Sequence, residues 1–226
     1  MNSIMRVLNV FGDAVLKAIL KLLQSMPHLQ VIILPAPDDV IPYPIFPTAP
    51  FDLSFSKKDT EAGKRLHMVS NPSSFTVGDG ANRIVFAGLT PDILFDIRRE
   101  RCVKGDKEFM AQSNKLEALM EDLLGQHCFY PLIPGNADVP LDTSLSGYLR
   151  MPLSPDVLFV RSRLKPFASD MNGTLGINVG KLTSFNRGGS FAKLYINPID
   201  LEKADQEGEA FQHHVPERTK VEIVSI

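Results

Sequence analysis

The sequence predicts a mixed α/β fold, in which a layered or sandwich-like β-sheet is flanked by helices. Three observations support this fold class. An amphipathic pattern opens the chain, a strand, a tight turn and a helix follow one another between residues 82 and 100, and strand patterns dominate from residue 154 onward. Helix and strand signals in this order are typical of helices packed on a sheet.

The composition and charge of the chain exclude several classes of protein. With 226 residues and 44% hydrophobic side chains, it can bury a substantial core as one large domain or two small ones. The formal net charge of −2 argues against a domain that holds DNA or RNA by itself, because phosphate neutralisation needs a surplus of Lys and Arg. The two cysteines, Cys102 and Cys128, fit a reducing compartment and are interpreted as plain thiols.

The first element is a helix within MNSIMRVLNVFGDAVLKAILKLLQSM. Lys17 and Lys21 interrupt its apolar run, and no small-residue cleavage site follows, so the segment indicates a buried amphipathic helix rather than a signal peptide or membrane anchor. Its wide apolar stripe needs a sheet or another helix to cover it. We therefore expect no association with a membrane.

The next element is a buried strand, Val31 to Leu34, which continues into a loop with six prolines between Pro35 and Pro50. Each proline fixes its own φ and restricts the preceding residue, so the loop is predicted to be stiff and extended. Two adjacent carboxylates, Asp38 and Asp39, follow the strand. Carboxylates at this end of a strand would suit metal ions or acid–base chemistry, whereas the prolines favour a rigid contact surface.

Further elements follow from local patterns. Asn82 to Thr90 is a short β-branched run, after which Thr90 is predicted as the N-cap and Pro91 as the first residue of a helix. A second amphipathic helix is predicted from Asn114 to His127. The remaining predicted strands are Ser154–Val160, Gly173–Leu182, Gly189–Ile199 and Thr219–Ile226.

No set of residues in the sequence completes a catalytic site around Asp38 and Asp39. A dinuclear phosphoesterase would need several histidines and an Asn or Asp at other strand ends. The five histidines of this chain lie in unsuitable places, and no Gly-Asn-His-Asp, Gly-x-Ser-x-Gly or Gly-x-x-x-x-Gly-Lys sequence is present. We therefore expect no catalytic residue, metal ion or cofactor.

A basic stretch precedes an acidic one in the last third of the chain. Only one acidic residue, Asp170, stands among the basic side chains, and the segment from residue 200 to 209 is mostly acidic. Two solvated faces would explain this pattern, and so would a polar docking surface, where charge steers a partner and fixes its register. The candidate partner-facing residues are Arg161, Arg163, Lys165, Lys181 and Arg187.

Six segments, in this order and spacing, resemble the B subunits of DNA polymerase alpha, which are non-catalytic accessory subunits of the polymerase and primase assembly. They are VSNPSSFTV, FAGLTPDILFDI, LLGQHCFYPLIPG, MPLSPDVLFV, NGTLGINVGKL and GGSFAKLYI. The opening LPAPDDVIPYPIFPTAPF resembles the proline-rich stretch of the same family. The resemblance runs from about Val10 to Ile226.

The resemblance implies a calcineurin-like metallophosphoesterase fold, a layered β-sandwich whose metal ligands have been lost. Residues 1–226 would be part of that domain, without the OB domain, amino-terminal region and first core strands of full-length members. Asp38 and Asp39, together with Asn178 and Gly180, would form the loops of a vestigial site. Two departures stand out, because the family's Asn-Pro-Gly is Asn178-Val179-Gly180 here and its Pro-Ser is Arg161-Ser162.

The resemblance also implies a function in the initiation of DNA replication. The chain would be a nuclear scaffolding subunit that binds the carboxyl-terminal domain of the catalytic subunit of polymerase alpha. It would meet the primase subunits through the complex, and DNA only indirectly. The alternatives are the small subunit of another replicative polymerase and a residual metal-dependent phosphoesterase.

Overall fold

A five-stranded mixed sheet forms the centre of the molecule. The computed structural model describes residues 11–38, 44–51, 60–102, 104–105, 115–184, 187–199 and 214–226. The strands of this sheet are β3 (Ser73–Val77), β4 (Ile84–Leu89), β5 (Val157–Val160), β6 (Phe167–Met171) and β7 (Thr174–Asn178). Their order is β3-β4-β5-β7-β6, with β4, β5 and β7 parallel and the edge strands β3 and β6 antiparallel to their neighbours.

The central strand β5 is covered on both faces. Leu158 and Val160 belong to the hydrophobic cluster on one face of the sheet, and Val157 belongs to the cluster on the other. All three side chains are at most 1% exposed. An uninterrupted apolar run suits a parallel strand that is buried in this way, and the strand predicted between Ser154 and Val160 is confirmed.

Two helices cover the first face of the sheet, here called the helix face. The chain has three described α-helices, α1 (Lys17–Ser25), α2 (Ile93–Glu100) and α3 (Leu116–Gly125). Residues of α2 and α3 pack with β4 and β5 in one large buried cluster. The members that lie deepest are Phe46, Ala87, Ile93, Leu94, Met120, Leu123 and Leu158. The predicted mixed α/β class, with a sheet flanked by helices, is confirmed.

Two separate strand pairs lie on the second face of the sheet, here called the hairpin face. β10 (Ser190–Ile196) and β11 (Thr219–Ser225) form an antiparallel pair whose inward side chains pack on β5 and β7. β1 (Val31–Ile33) pairs in parallel with β2 (Leu66–Met68). A Cβ atom on Gly88 would lie 3.4 Å from Leu34 Cδ2, and Gly88 shares its side of β4 with Phe86 of the hairpin-face cluster, so the end of β1 also covers this face.

The first helix is covered on one side only by the described residues. A π-helical turn, Phe11–Leu16, leads into α1, and Leu16 and Leu23 are buried. Val15 and Leu22 remain 44% and 47% exposed. Arg65 satisfies the end of α1, because its guanidinium donates to the carbonyl oxygens of Leu23, Met26 and Leu29 at 2.6–3.1 Å.

The predicted helix start at Thr90 is wrong. α2 begins at Ile93, and Asp92 holds the N-cap position without a side-chain capping bond. The Thr90 hydroxyl is engaged elsewhere, since it donates to the Pro35 carbonyl at 3.3 Å and accepts from Asn71 Nδ2 at 2.6 Å. The residue therefore connects the end of β4 to neighbouring loops, and its side chain does not cap the helix.

Candidate functional site

Polar side chains gather where four strands end. The carboxyl ends of the parallel strands β4, β5 and β7 meet at one edge of the sheet, the place where open α/β sheets usually carry their sites. The segment after β1 reaches the same edge, since its Asp38 bonds to Arg161. We call these residues the strand-end cluster: Asp38, Asp92, Arg161, Ser162, Arg163 and Asn178.

Asp38 is engaged by a guanidinium group. Arg161 Nη2 donates to Asp38 Oδ2 at 2.8 Å, and Arg161 Nε donates to the Thr90 carbonyl at 3.1 Å. Burial alone would raise the pKa of Asp38, but the hydrogen bond and charge of Arg161 outweigh it and lower that pKa. Asp38 is therefore ionised and ion-paired at neutral pH.

Asp92 is held by two residues that follow β5. Ser162 Oγ donates to Asp92 Oδ1 at 2.5 Å, while Arg163 donates to Oδ2 from its backbone nitrogen at 3.0 Å and from Nε at 2.8 Å. The Arg163 guanidinium also lies 4.3 Å from the centre of the Phe95 ring. These bonds join the start of α2 to the loop after β5, and they occupy both oxygens of the carboxylate.

Asn178 organises the backbone at the end of β7. Its Oδ1 accepts from Ser162 N at 3.0 Å and Gly180 N at 3.1 Å, while its Nδ2 donates to the carbonyls of Leu164 and Lys165 at 3.1 Å. The side chain is fully buried, so each bond replaces one that water would otherwise make. Gly180 has φ +74°, and a Cβ there would lie 2.5 Å from Ser190 Oγ.

Four members of the strand-end cluster line a cavity of about 200 Å³. Its charged lining combines four carboxylates with three cations: Asp38, Asp92, Asp96, Asp138, Arg161, Arg163 and Lys181. Within the described residues, no group of three or more His, Cys, Asp or Glu is placed to hold a metal ion. The arrangement joins strand ends and loops through alternating charges. Its described residues do not form a set of ligands for a metal ion.

A second buried network was missed by the sequence analysis. Asp96 accepts from Tyr130 OH at 3.2 Å and from Asn136 Nδ2 at 2.6 Å, and Tyr130 OH in turn accepts from Asn136 N at 2.9 Å. Burial raises the pKa of Asp96 and, together with the charge of Asp96, raises that of Tyr130 to about 12. Asp96 sits in an amphipathic helix pattern, and no local signal reveals its partners 34 and 40 positions away.

The structure brings together some of the predicted site residues. Asp38 and Arg161 form an ion pair, and the predicted loop residues Asn178 and Gly180 are joined by a hydrogen bond in the same turn. Lys181 lines the cavity and Lys165 is exposed. Asp39 lies outside the described residues. Arg187 belongs to β9 (Arg187–Gly188), which pairs with β8 (Thr183–Ser184), but its side chain lies outside the described part.

None of the helices in the described part of the chain is long and apolar enough to span a membrane.

Fold and site together define a mixed α/β protein whose strand ends are closed by ion pairs and hydrogen bonds. Residues 6–169 match the model of the family described as the B subunit of DNA polymerase alpha/epsilon. This chain belongs to that family, which confirms the resemblance drawn from the sequence.

Relatives within the family are named as the B subunit of DNA polymerase alpha. The mouse protein is 31% identical over 167 residues, which cover 74% of this chain and 26% of the mouse protein. The Schizosaccharomyces pombe protein is 30% identical over 69% of this chain and 27% of its own length, and the Saccharomyces cerevisiae protein is 25% identical over 88% of this chain and 32% of its own length. The chain thus spans about a quarter to a third of these relatives.

Proposed function

We propose that this chain is a non-catalytic accessory subunit that scaffolds DNA polymerase alpha and primase during the initiation of replication. The family assignment supports this function, as do the relatives named as the B subunit of DNA polymerase alpha. Its direct partner is the carboxyl-terminal domain of the catalytic subunit, and the primase subunits are reached through the complex. The complex works in the nucleus, and the chain meets DNA only indirectly, in keeping with its net charge of −2.

The structural observation that supports the non-catalytic part of this proposal is the engagement of the strand-end carboxylates. Asp38 pairs with Arg161, and Asp92 accepts from Ser162 and Arg163, at the edge where a phosphoesterase of this fold would present its ligands. An arginine stays protonated in a protein, so Arg161 and Arg163 offer these carboxylates a cationic partner at every physiological pH. We infer a calcineurin-like fold with a vestigial site formed by Asp38, Asp39, Asn178 and Gly180.

Five basic residues, of which Arg161 and Arg163 belong to the strand-end cluster, form the proposed partner-facing surface. Arg161, Arg163, Lys165, Lys181 and Arg187 would steer an acidic surface of the catalytic subunit and fix its orientation. A charge reversal, Lys165→Glu, should slow association and reduce its dependence on salt. Lys21→Glu, an equal change at another exposed lysine, is the matched control and should leave the association rate unchanged.

Co-purification tests the proposed function directly. The tagged full-length gene product is isolated from its own cells, and the accompanying proteins are identified by mass spectrometry. We expect the catalytic subunit of polymerase alpha and the two primase subunits. Recovery of the catalytic subunit of polymerase epsilon instead would assign the chain to another replicative polymerase, and recovery of neither would remove the scaffolding function.

A further inference from the structure

A largely apolar groove lies beside the start of β3, and we call it the proline groove. Its volume is about 780 Å³, within the range of sites that bind ligands. Four prolines and two aromatic residues are part of its lining: Pro47, Pro50, Pro72, Pro152, Phe129 and Tyr148. Within the described part of the chain, the proline groove and the cavity at the strand ends share no lining residue. The groove is therefore a separate feature of the surface.

Backbone hydrogen bonds hold the walls of the proline groove together. Thr48 and Asn71 exchange two such bonds, at 2.7 and 2.9 Å, which join the proline-rich loop to the segment before β3. Phe129 N donates to the Leu149 carbonyl at 2.7 Å and joins the two other loops that contribute to the lining. The prolines restrict the backbone further, because each fixes its own φ. The groove is thus formed in advance, and an occupant does not have to order its walls.

Two exposed side chains of the lining are of the kinds that dominate protein–protein interfaces. Tyr148 is 73% exposed, and Arg150, two residues further along the chain, is also exposed. Tyr and Arg are enriched among the residues that carry most of the binding energy, whereas Lys, Glu and Asp are depleted from interface cores. The described lining contains no Lys, Glu or Asp. This composition favours a segment of another protein as the occupant.

The charge of Arg150 defines the chemistry of that segment. Among the described residues that line the proline groove, Arg150 alone is charged, and within the described part of the chain it has no ion-pair partner. A guanidinium group matches a carboxylate through two parallel hydrogen bonds. An occupant with a carboxylate beside an apolar side chain would therefore complement both the charge and the apolar walls.

We propose that the proline groove docks a linear segment of a partner protein in which an acidic residue adjoins an aliphatic or aromatic one. The apolar side chain packs against Phe129 and the prolines, and the carboxylate pairs with Arg150. None of the five basic residues of the proposed partner-facing surface is in the described lining of the groove. The segment therefore belongs to a partner other than the catalytic subunit, and both can bind at once.

A library of random linear peptides tests this chemistry. Phage that display the peptides are selected on the purified full-length gene product, after removal of those that bind the same protein carrying Tyr148→Ser and Arg150→Glu. We expect the enriched peptides to share an Asp or Glu next to an aliphatic or aromatic residue. Enrichment of peptides that lack an acidic residue, or no enrichment at all, would overturn the proposal.

A charge exchange locates the binding at Arg150. The affinity of an enriched peptide is measured by fluorescence anisotropy, and Arg150→Glu should weaken it by about tenfold or more, because a close pair of opposite charges becomes a pair of like charges. The same peptide with Lys in place of its acidic residue should bind the Arg150→Glu protein better than the unchanged protein. Arg83→Glu is the matched control, because Arg83 is exposed and lies outside the groove lining, and it should leave the affinity nearly unchanged.

Further outcomes would also overturn the proposal. One is an equal loss of affinity in the Arg150→Glu and Arg83→Glu proteins. Another is displacement of the bound peptide by the carboxyl-terminal domain of the catalytic subunit, which would make the groove part of that interface. If circular dichroism shows that Arg150→Glu does not fold, Tyr148→Ala decides the question and should also weaken binding. Arg150→Glu should not change co-purification of the catalytic subunit, so failure here is distinguishable from failure of the scaffolding function.

Discussion

The two faces of the central sheet differ in how completely they are covered. On the helix face, α2, α3 and the two loops that contain Phe46 and Tyr130 close over β4 and β5, and the cluster there includes side chains that are fully buried. On the hairpin face, two strand pairs cover the sheet separately and leave a trough between them. The difference indicates that, among the described residues, the helix face contributes more of the closely packed core than the hairpin face does.

The largest expected effect comes from a cavity in the closed face. Leu158→Ala removes a fully buried side chain between β4, β5 and the helices, and should lower the free energy of unfolding by about 2 to 5 kcal/mol. Leu182→Ala, at the exposed rim of the trough, is the control and should cost less than about 0.5 kcal/mol. Urea unfolding followed by circular dichroism measures both changes. Equal losses would show that the two faces do not differ in the way described.

The hydrogen-bond network of Asp96, Tyr130 and Asn136 should give the next largest effect on stability. Asp96→Ala leaves Tyr130 OH and Asn136 Nδ2 without their acceptor, at a cost of about 1 to 3 kcal/mol for each group that stays buried and unpaired. Asp138→Ala removes an exposed carboxylate from the lining of the same cavity and serves as the control. If thermal unfolding of the two variants shifted equally, the hydrogen bonds of Asp96 would not contribute as argued.

The pH dependence of stability should have opposite signs at Asp38 and Asp96. The pKa of Asp38 is lowered, so its stabilising contribution is present above the ordinary carboxyl value of about 3.9 and is lost as the pH falls through the folded-state value. The pKa of Asp96 is raised, so its contribution is present below that ordinary value and is lost as the pH rises through the folded-state value.

Urea unfolding between pH 2 and pH 7 measures these contributions. The stability difference between the unchanged chain and Asp38→Asn should grow with pH, and the difference for Asp96→Asn should shrink. Slopes of the same sign would contradict the assigned environments of the two carboxylates.

The smallest effect is expected at the exposed ion pair of the strand-end cluster. The side chain of Asp38 is 60% exposed, and exposed ion pairs contribute about 0 to 1 kcal/mol, so Asp38→Ala should barely change the unfolding free energy.

The double substitution of Asp38 and Asp39 by Ala should also leave binding of the catalytic subunit unchanged. Hydrolysis of bis(p-nitrophenyl) phosphate with Mn²⁺ is the companion assay. An activity that disappears in the double variant would favour a residual phosphoesterase.

Local sequence patterns were sufficient to predict the buried strands of the fold. They were not sufficient to predict hydrogen bonds between residues that are distant in the sequence. β4 and β5 were predictable because their side chains are apolar on both faces, as parallel strands require. β6 was missed because Phe167 to Met171 mixes polar and apolar side chains at an exposed edge. The start of α2 was misplaced because Thr90 bonds to Asn71 and Pro35, contacts that no local pattern contains.

The candidate site was also predictable from the sequence only in part. Asp38 was identified from its position after a predicted strand and the Asn178 turn through the family resemblance, and the structure places both at the sheet edge with Arg161. The engagement of Asp92 by Ser162 and Arg163 joins residues that are 70 and 71 positions apart, so only the folded chain reveals it. Pairing across such distances depends on which strands are neighbours in the sheet, and this strand order cannot be predicted from any single segment of the sequence.

Reconstitution tests the scaffolding function most directly. The purified chain is mixed with the purified carboxyl-terminal domain of the polymerase alpha catalytic subunit from the same organism, and the mixture is examined by size-exclusion chromatography with light scattering. We predict a single complex with the summed mass of one copy of each, also when Asp38 and Asp39 are replaced by Ala. Two separate peaks at every concentration and salt condition, each with the mass of its isolated component, would contradict the account.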